Sequence, residues 1–532
     1  MTVPISYQAD EATLIATARA LIGPSQSLSP AEQRLCAKIV SVHDQQALSR
    51  IRARIRDGED PLGEAFIQLR SADQRRQMGA TYTPKVIVDS MIRWAQNMGL
   101  PGRIVDPGAG SGRFLIAAAE AFPHVQLIGV ELDPVAALLL RANITVRDLV
   151  ARTTIHVADY RNVTLERNHR PTLFIGNPPY VRHHDIPSKW KSWLSKTAQI
   201  YGVKASQLAG LHIHFFLQTL QLAQAGDVGA FITAAEWLDV NYGAVLRTLL
   251  TEQLGGRSIH VLDPKSLPFV GTTTTGAITC FQIGATPTHL QMRQVPTLHR
   301  LNGLSSGRRI PIDVARNTNR WSILIRPGPR PPADHIALGD LFRVHRGQVT
   351  GNNDIWVTET GHDLPAEVLI PTVTRAKEII ETGPTLTDGQ RLKKVIDLPV
   401  DLDDLDSNHR PAVIRFLRWA RTQGGKQSYV AQHRQAWWAV GLRDPAPILC
   451  TYMARRAPAF TRNVCAARHI NIAHGLYPIQ VLSDEVLDRL IHWLHQHLSQ
   501  QSGRTYAGGL TKFEPRELER VPIPSLEHLS AW

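Results

Sequence analysis

One stretch of the sequence decides the fold: Ile104-Val105-Asp106-Pro107-Gly108-Ala109-Gly110-Ser111-Gly112. The β-branched pair at its start indicates a short strand, and the apolar, Ala-rich segment from Phe114 to Phe122 indicates a helix after it. Between the two, the glycines permit positive φ and let a ligand approach the backbone closely. A strand, a Gly-rich turn and a helix in this order are typical of α/β proteins that bind nucleotides.

The details of the turn separate the nucleotide-binding families from one another. A dinucleotide fingerprint of the form G-x-G-x-x-G requires glycine at position 113, where Arg113 stands. The lysine of a P-loop is also missing from the turn. The acidic residue at its start, Asp106, instead makes the turn resemble the first motif of S-adenosylmethionine-dependent methyltransferases.

Strands and helices continue to alternate after this turn. Short apolar runs at 126–130, 154–157, 173–175, 228–233 and 276–283 predict further strands, and residues 135–146 predict a helix. Strands that alternate with helices form a mainly parallel α/β sheet. Ligands of such sheets bind beyond the carboxyl ends of the strands.

Acidic residues follow the next two strands as well. Glu131 comes after the second strand and can accept hydrogen bonds from both hydroxyls of a ribose. Asp159 comes after the third strand and can accept a hydrogen bond from an adenine amino group. Each acid taken alone is equally well explained as a helix cap or a turn residue. Three acids after three successive strands, however, would share one rim of the sheet, which favours a nucleotide-like ligand there.

The fourth strand ends in Asn177-Pro178-Pro179-Tyr180. Two prolines end a strand because each ring fixes φ and removes a backbone donor. The side-chain oxygen of Asn177 and the peptide carbonyl of Pro178 are acceptors that do not titrate, so together they can hold the two N–H groups of a planar amine. Tyr180 adds an aromatic face for a flat ring. The turn therefore indicates chemistry on an exocyclic amino or amide nitrogen, with a simple strand-ending turn as the alternative.

Taken together, these motifs resemble the gamma-type N6-adenine DNA methyltransferases of type II restriction-modification systems, in which the cofactor motif precedes Asn-Pro-Pro-Tyr. Residues 79–84 resemble the family's N-terminal Thr-Pro motif, which helps to cover the cofactor. Residues 267–281 resemble the motif whose aromatic residue stacks on the extruded base. The resemblance implies a Rossmann-like class I S-adenosylmethionine-dependent methyltransferase sheet with helices on both faces, followed by a mixed α+β target-recognition domain.

The resemblance also implies roles for individual residues. Asn177 and Pro178 would accept the amino hydrogens, and Tyr180 and Phe269 would stack on the base. S-adenosylmethionine would be bound by Asn177 and by residues of the Thr-Pro motif and the strand ends: Thr81, Tyr82, Thr83, Pro84, Asp106, Gly108, Gly110, Glu131 and Asp159. DNA would be contacted by residues that follow the turn at 177–180, named the catalytic turn for this implied role, and by residues at the opening of the C-terminal domain: Arg182, His183, Arg346, Thr350 and Asn352.

Length, charge and composition indicate a DNA-binding enzyme of several domains. The 532 residues carry a net charge of +13, and both halves of the chain are mildly basic, which favours an anionic partner. The Pro-rich run 326–332 predicts a linker. We expect an N-terminal helical region (1–75), an S-adenosylmethionine-binding catalytic domain (76–300), a linker (301–334) and a DNA target-recognition domain (335–532).

The sequence also limits what else the protein binds and where it acts. Four scattered cysteines without a C-x-x-C pair, and histidines without zinc-site spacing, predict no metal site. The chain shows neither a signal-peptide pattern nor an apolar run of membrane-spanning length. We therefore expect a cytoplasmic protein without membrane contact, and we expect it to be a monomer.

The predicted function is site-specific DNA adenine-N6 methylation. A methyl group would pass from S-adenosylmethionine to a flipped-out adenine in double-stranded DNA, protecting host DNA from a separate cognate restriction endonuclease that acts on the same site. Because the catalytic turn suits any planar amino group, cytosine N4, an RNA amino group and a protein glutamine amide are alternative acceptors. The basic C-terminal half favours a polynucleotide over a peptide.

Overall fold

The computed structural model describes residues 10–39, 44–70, 83–263, 275–301, 303–325, 332, 334–360, 362–454, 456–498, 504–506 and 510–531. The chain divides into two compact units, residues 1–328 and residues 329–532. Each unit has hydrophobic cores of its own.

The first unit is built on one nine-stranded sheet. Its strands are β1 (Arg103–Asp106), β2 (Gln126–Glu131), β3 (Thr153–Val157), β4 (Thr172–Gly176), β5 (Val228–Ala234), β6 (Gly256–Leu262), β7 (Gly276–Gln282), β8 (His289–Val295) and β9 (Arg308–Pro311). They lie in the order β3-β2-β1-β4-β5-β7-β6-β8-β9, and every pair from β3 to β5 is parallel. The predicted, mainly parallel α/β sheet is confirmed, and its antiparallel pairs occur only beyond β5.

Helices cover both faces of this sheet. They are α1 (Glu11–Ile22), α2 (Pro30–Cys36), α3 (Gln45–Arg56), α4 (Pro61–Leu69), α5 (Lys85–Asn97), α6 (Arg113–Ala121), α7 (Pro134–Val146), α8 (Ser188–Ile200), α9 (Leu211–Leu222), α10 (Ala244–Thr251), α11 (Ile312–Arg316) and α12 (Ser322–Ile325). Ile104 and Val105 of β1 belong to two different apolar cores, because successive side chains of a strand point to opposite faces. Burial on both faces explains why β1 and β4 are continuous apolar runs.

The strand order reverses between β1 and β4. Strands β2 and β3 lie on one side of β1, whereas β4 and β5 lie on the other. A reversal of this kind leaves a crevice at the carboxyl ends of the two central strands, where ligands bind in α/β sheets. The turns that follow β1, β2, β3 and β4 all lie at this edge, because these strands run parallel.

The N-terminal helices pack directly on the sheet domain. Helices α1, α3 and α4 share an apolar core with α7, in which Leu14 and Ile15 meet Leu138 and Leu139. An ion pair between Oε1 of the fully buried Glu32 and Nε of Arg141, 2.7 Å apart, joins α2 to α7. Helices α1 to α4 thus occupy the described part of the region 1–75.

The first unit extends beyond the predicted end of the catalytic domain. Residues 301–334 are predicted as a linker, but β9, α11 and α12 fall within this range and fold into the first unit. Trp321 is fully buried beside Trp237, with ring centroids 5.9 Å apart, and its Nε1 donates a hydrogen bond to the backbone oxygen of Ala315 at 2.9 Å. Burial of this indole anchors the segment, so the folded region continues at least to residue 325.

The second unit is a mixed α+β structure, as predicted. Its strands are β10 (His335–Ala337), β11 (Phe342–Arg346), β12 (Val357–Thr358), β13 (Leu369–Val373), β14 (Thr385–Leu386), β15 (Lys394–Ile396), β16 (Ile448–Thr451), β17 (Met453–Ala454), β18 (Phe460–Asn463), β19 (Arg468–His469), β20 (Ala473–Pro478), β21 (Arg504–Tyr506), β22 (Leu510–Lys512) and β23 (Pro522–Pro524). Its helices are α13 (Leu338–Leu341), α14 (Asn353–Trp356), α15 (Ala376–Thr382), α16 (Arg410–Thr422), α17 (Tyr429–Gln432), α18 (Asp484–His497), α19 (Pro515–Leu518) and α20 (Leu526–Ala531). The main sheets have the orders β11-β20-β16-β18-β14 and β12-β15-β13-β19.

Candidate active site

A cavity of about 690 Å³ lies at the carboxyl ends of the central strands of the first unit. Six of the residues predicted for the site line it: Thr83, Gly108, Gly110, Glu131, Asp159 and Asn177. A Cβ atom at Gly108 would lie 3.7 Å from the backbone oxygen of Asn177, so the Gly-rich turn and the catalytic turn are in contact. The fold thus brings the two predicted motifs to one space.

The Gly-rich turn between β1 and α6 is held by the acids at the strand ends. Asp106 is fully buried at the end of β1, and its Oδ1 accepts a hydrogen bond from the N–H of Gly108 at 3.3 Å. Gly112 has a φ of +100°, a conformation that residues with side chains rarely adopt, immediately before α6 begins. The N–H of Gly110 donates to Oε2 of Glu131 at 2.8 Å, which ties the turn after β1 to the turn after β2.

Burial perturbs the acids at the ends of β1 and β2, of which Glu131 lines the cavity and Asp106 does not. Removal from water raises the pKa of Asp106 to about 8, and the nearby carboxyl of Glu131 adds to this rise. Burial also raises the pKa of Glu131, although the N–H groups of Asp133 and Gly110 donate to its charged form. Within the described residues, no group donates a hydrogen bond to the buried Oδ2 of Asp106. Two desolvated carboxyl groups of this kind favour a ligand that carries positive charge or N–H donors.

Asp159 is stabilised in a different way, by a guanidinium group. Arg161 donates from Nε to Oδ1 at 2.9 Å and from Nη2 to Oδ2 at 2.7 Å. Burial would raise the pKa of Asp159, but the hydrogen bonds from Arg161 outweigh it and lower the pKa. The guanidinium also stacks on Trp190, with its central carbon 3.8 Å from the ring centroid. Arg161 and Trp190 line the cavity, and no local sequence pattern marks either residue.

The asparagine of the catalytic turn is oriented by the segment that precedes α5. Nδ2 of Asn177 donates a hydrogen bond to Oγ1 of Thr83 at 3.0 Å. Thr83 is 3% exposed, and its backbone oxygen accepts a hydrogen bond from Nη1 of Arg113 at 2.9 Å. Pro84, also predicted for the cofactor site, directly precedes the first residue of α5. Because Thr83 engages the amide nitrogen, the plane of the Asn177 amide is fixed and Oδ1 is its acceptor end.

Two other residues of the catalytic turn lie behind the cavity wall. Pro178 is buried, and Tyr180 is half-buried with its ring against the apolar core that contains α5. Burial of the hydroxyl raises the pKa of Tyr180, so the hydroxyl stays protonated. Neither residue is among the described residues that line the cavity. The predicted positions Thr81, Tyr82 and Phe269 lie outside the described residues.

The residues predicted to contact DNA in the first unit lie just after the catalytic turn. Arg182 is exposed and precedes a short 3-10 helix, His183–Asp185. The rings of His183 and His184 lie 3.7 Å apart. Burial and the neighbouring His184 lower the pKa of His183, so its ring is mostly neutral at pH 7.

The residues predicted to contact DNA in the second unit differ in exposure. Arg346, at the end of β11, is exposed and stacks on Tyr452 at 4.3 Å from the ring centroid. Thr350 is 2% exposed and donates a hydrogen bond to Oδ1 of Asn353 at 2.5 Å. Asn352 caps α14 by accepting a hydrogen bond from the N–H of residue 354 at 3.0 Å. Thr350 and Asn352 therefore shape this loop, whereas Arg346 is open to a partner.

The two histidines of α9 are buried and neutral. On α9, burial lowers the pKa of His212 to about 4 and that of His214 to about 3. The described residues bring together no group of three or more His, Cys, Asp or Glu side chains suited to a metal ion. In the same part of the chain, no helix combines the length and the apolar character needed to cross a bilayer.

Both halves of the chain match models of one protein family. The model of the Eco57I restriction-modification methylase matches residues 126–264, and the model of the C-terminal domain of type II methyltransferase M.Eco57I matches residues 332–531. The chain is also 53% identical over 531 residues to the type II methyltransferase M.XamI of Xanthomonas campestris pv. amaranthicola, a match that covers 98% of this chain and 99% of that relative. The chain belongs to the Eco57I-type family of type II restriction-modification methyltransferases. The predicted membership of a type II restriction-modification methyltransferase family is confirmed, and the protein is a DNA methyltransferase.

The methyltransferase has two weaker matches, one confined to a short segment and the other at low sequence identity. Over 79 residues it is 37% identical to the tRNA1(Val) (adenine(37)-N6)-methyltransferase of Yersinia pestis (strain Pestoides F), a match that covers 15% of this chain and 32% of that relative. The solved structure of the type IIG restriction endonuclease BpuSI is similar, with a TM-score of 0.50 and 16% sequence identity. The match covers 97% of this chain and 70% of the BpuSI chain. At that identity, the structural likeness concerns the fold alone.

Proposed function

We propose that the methyltransferase transfers the methyl group of S-adenosylmethionine to N6 of a specific adenine in double-stranded DNA, protecting host DNA from a cognate restriction endonuclease. One observation carries this proposal: Asn177, held by Thr83, borders the same cavity as the carboxylates of Glu131 and Asp159. An acceptor for an amino group and acceptors for a nucleoside thus share one space. The cavity volume lies within the range of roughly 300–1,000 Å³ that is usual for cofactor pockets.

The side chains that line the cavity fit S-adenosylmethionine. Asp106 is fully buried and is not among the described residues that line the cavity, so we propose that it acts through the Gly-rich turn, where it accepts a hydrogen bond from the N–H of Gly108. Glu131 is suited to the ribose hydroxyls and Asp159 to the adenine amino group, while Trp190 and Phe215 provide aromatic walls. When bound, S-adenosylmethionine supplies a methyl group that is activated by its positively charged sulfur.

The chemistry at the acceptor requires the lone pair of the amino nitrogen, which is delocalised into the adenine ring. Oδ1 of Asn177 and the carbonyl of Pro178 would accept the two N–H groups and draw the nitrogen out of conjugation. Because Thr83 fixes the amide of Asn177, this acceptor is oriented before the base arrives. The nitrogen becomes cationic on methylation and loses its proton readily to water, so the residues need not provide a strong general base.

An adenine in a duplex has to leave the stack before it reaches such a cavity. Flipping it out costs a few kcal/mol, and stacking on an aromatic side chain offsets on the order of 1–3 kcal/mol of that cost. We assign the stacking faces to Tyr180 and Phe269, and for Tyr180 this requires that its ring, which packs against the apolar core of α5, turns towards the base when DNA binds. Burial keeps the hydroxyl of Tyr180 protonated, so its ring is a neutral surface beside the catalytic turn.

We assign DNA recognition to both units. Arg182 in the first unit and Arg346 in the second are exposed, which suits contacts with phosphates, and the net charge of +13 favours a polyanion. We take residues 76–300, extended through β9, α11 and α12, as the catalytic domain, and residues 335–532, which match the family's C-terminal domain model, as the target-recognition domain. The protein is proposed to act as a monomer, and the cognate endonuclease need only read the same DNA sequence.

Analysis of the methylated product tests this proposal. The full-length protein is incubated with methyl-labelled S-adenosylmethionine and duplex plasmid DNA, and the DNA is then digested to nucleosides. We expect the label in N6-methyldeoxyadenosine. Label in N4-methyldeoxycytidine would overturn the choice of adenine, and label in protein alone would overturn the choice of DNA.

Adenine N6 in RNA is a second candidate acceptor. The local similarity to a tRNA adenine-N6 methyltransferase over 79 residues favours it. Transfer RNA is therefore included as a parallel substrate in the same assay. We expect no label in it, because the basic second unit matches a domain of type II methyltransferases. Label in transfer RNA without label in DNA would show that the acceptor is in RNA and would overturn the choice of DNA.

A further inference from the structure

The N-terminal helices, whose role the proposed function leaves open, form one wall of the cavity. Gly63, Phe66 and Ile67 of α4 line the cavity, together with Arg70, which directly follows this helix. The guanidinium of Arg70 lies over the ring of Phe66, 5.0 Å from its centroid. A helix outside the sheet domain thus supplies apolar and aromatic surface to the space proposed for the cofactor.

A single carboxylate joins this wall to the Gly-rich turn. Oδ1 of Asp60 accepts hydrogen bonds from the N–H of Gly63 at 2.9 Å and from Nδ2 of Asn143 at 3.1 Å. Its Oδ2 accepts hydrogen bonds from Oγ of Ser111 at 2.5 Å and from Nε of Arg113 at 2.9 Å. Asp60 is 7% exposed, so water competes little with these four bonds.

Three of the four partners of Asp60 belong to elements other than α4 that shape the cavity. Ser111 lies in the Gly-rich turn, Arg113 is the first residue of α6, and Asn143 lies on α7. Nδ2 of Asn143 also donates to the backbone oxygen of Ser111 at 2.8 Å. The Asp60 network, formed by Asp60, Gly63, Ser111, Arg113 and Asn143, therefore fixes the distance between α4 and the turn.

The packing around Gly63 gives a second, independent way to disturb the same network. A Cβ atom at Gly63 would lie 2.2 Å from Oδ2 of Asp60 and 2.5 Å from Oγ of Ser111. Both distances are shorter than atoms can approach without a bond, so any side chain at this position has to displace the Asp60 network.

We propose that the N-terminal helices are part of the cofactor site and that Asp60 is a positioning residue, which holds α4 against the Gly-rich turn so that the cavity keeps the shape that binds S-adenosylmethionine. The identity of the cofactor rests on the proposed function. Loss of the network would move the wall formed by Phe66 and Ile67 and weaken cofactor binding. The network reaches Asn177, which holds the target amine, only indirectly, through Arg113 and Thr83. The KM for the cofactor should therefore rise by a larger factor than kcat at saturating cofactor falls.

The experiment compares full-length wild-type protein with Asp60→Asn, Gly63→Ala and a control, Glu59→Gln. Glu59 precedes Asp60 and forms a surface ion pair with Arg54 at 2.7 Å, with 51% of its side chain exposed. The control therefore removes a charge from the same turn without touching the cavity. S-adenosylhomocysteine, which cannot donate a methyl group, is the probe in calorimetric titrations. We expect both network variants to bind it on the order of tenfold more weakly, and the control to bind it as the wild type does.

Steady-state kinetics separate positioning from a general structural role. If Asp60 had only a general structural role, its replacement would reduce the fraction of active enzyme, which lowers the apparent kcat and leaves the KM for S-adenosylmethionine unchanged. That result would overturn the proposal. Circular dichroism and thermal melting check that the variants fold. If the network variants fail to fold, Phe66→Ala replaces them with the same expectation, because it alters the wall and leaves the network intact.

The wild-type titration distinguishes the two levels of the proposal. Wild-type protein that binds no S-adenosylhomocysteine would refute the proposed cofactor. Tight binding by the wild type, together with equally tight binding by folded Asp60→Asn and Gly63→Ala, would refute only the role of the N-terminal helices.

Discussion

Nδ2 of Asn177 donates a hydrogen bond to Oγ1 of Thr83 at 3.0 Å, between residues that lie 94 positions apart in the sequence. The bond joins the catalytic turn after β4 to the segment that precedes α5. Thr83 is 3% exposed, so solvent does not compete for its hydroxyl. Because Asn177 is proposed to hold the target amino group, Thr83 sets the direction of the acceptor.

Replacing Thr83 by valine keeps the shape of the side chain and removes the hydroxyl. We expect the rate constant for methyl transfer to fall on the order of tenfold, because the amide of Asn177 loses a buried partner and its fixed orientation. Single-turnover assays with saturating cofactor measure this rate constant. Thr83→Ser retains the hydroxyl and should retain most of the rate. Equal rates for Thr83→Val and wild type would show that Thr83 does not orient the amide.

Removal of the Asn177 amide itself should have a far larger effect. We expect Asn177→Ala to lower the rate of methyl transfer by more than about a hundredfold, as is typical when a preorganised polar group at the reacting atoms is lost. DNA affinity, measured by gel shift, should change little, because the phosphate contacts remain. Asn162→Ala alters an exposed asparagine after β3 and serves as the control. Activity retained by Asn177→Ala would exclude this residue from the mechanism.

Part of the site could be predicted from the sequence because its components follow one local order. Asp106 and Glu131 are the last residues of β1 and β2, and Asp159 comes shortly after β3. A short apolar run locates each strand, and the parallel sheet then brings the strand ends to one edge. The positions of the acids, the glycines and the catalytic turn therefore followed from patterns only a few residues long.

The remaining features depend on contacts between distant segments. Asp60 meets Ser111 across 51 residues and Asn143 across 83 residues, and no local pattern marks any of these partners. The stacking of Arg161 on Trp190 likewise joins the turn after β3 to α8. Strand β9 has only four residues and no motif beside it, so nothing in its segment opposes the linker that the Pro-rich run 326–332 predicts.

The raised pKa of Asp106 predicts how the stability of the ligand-free protein depends on pH. Its carboxyl group has a pKa of about 8 in the folded chain against 3.8 as the ordinary value, so the folded state binds the proton more tightly. The protonated carboxyl group therefore stabilises the folded state. This contribution to the free energy of unfolding is fully present at pH values below the ordinary pKa and is lost as the pH rises through the pKa of the folded chain. We expect Asp106→Asn to be more stable than wild type near pH 8.5, on the order of 2 kcal/mol, and less so towards pH 5. Chemical denaturation without ligand measures the difference.

The pKa of Asp159 is shifted in the direction opposite to that of Asp106. Burial opposes its ionisation, but the hydrogen bonds from Arg161 prevail and lower its pKa, so its contribution to stability is present above the unfolded pKa and is lost as the pH falls. Asp159→Asn is therefore expected to be less stable than wild type at pH 7. If Asp106→Asn is destabilised in the same way at pH 8.5, the carboxyl group of Asp106 is not desolvated in the ligand-free protein.

The exposed Arg182 follows the carboxyl end of β4, next to the cavity, whereas the exposed Arg167 precedes the amino end of the same strand. DNA that delivers a base to the cavity would pass close to Arg182 and would not reach Arg167. Each phosphate contact contributes about 0.9 to the slope of the logarithm of affinity against the logarithm of salt concentration. We expect Arg182→Ala to weaken binding at low salt and to reduce this slope by about 1, and Arg167→Ala to change neither. Fluorescence anisotropy with a duplex between about 50 and 200 mM salt measures both quantities. Identical slopes for wild type and Arg182→Ala would mean that Arg182 contacts no phosphate.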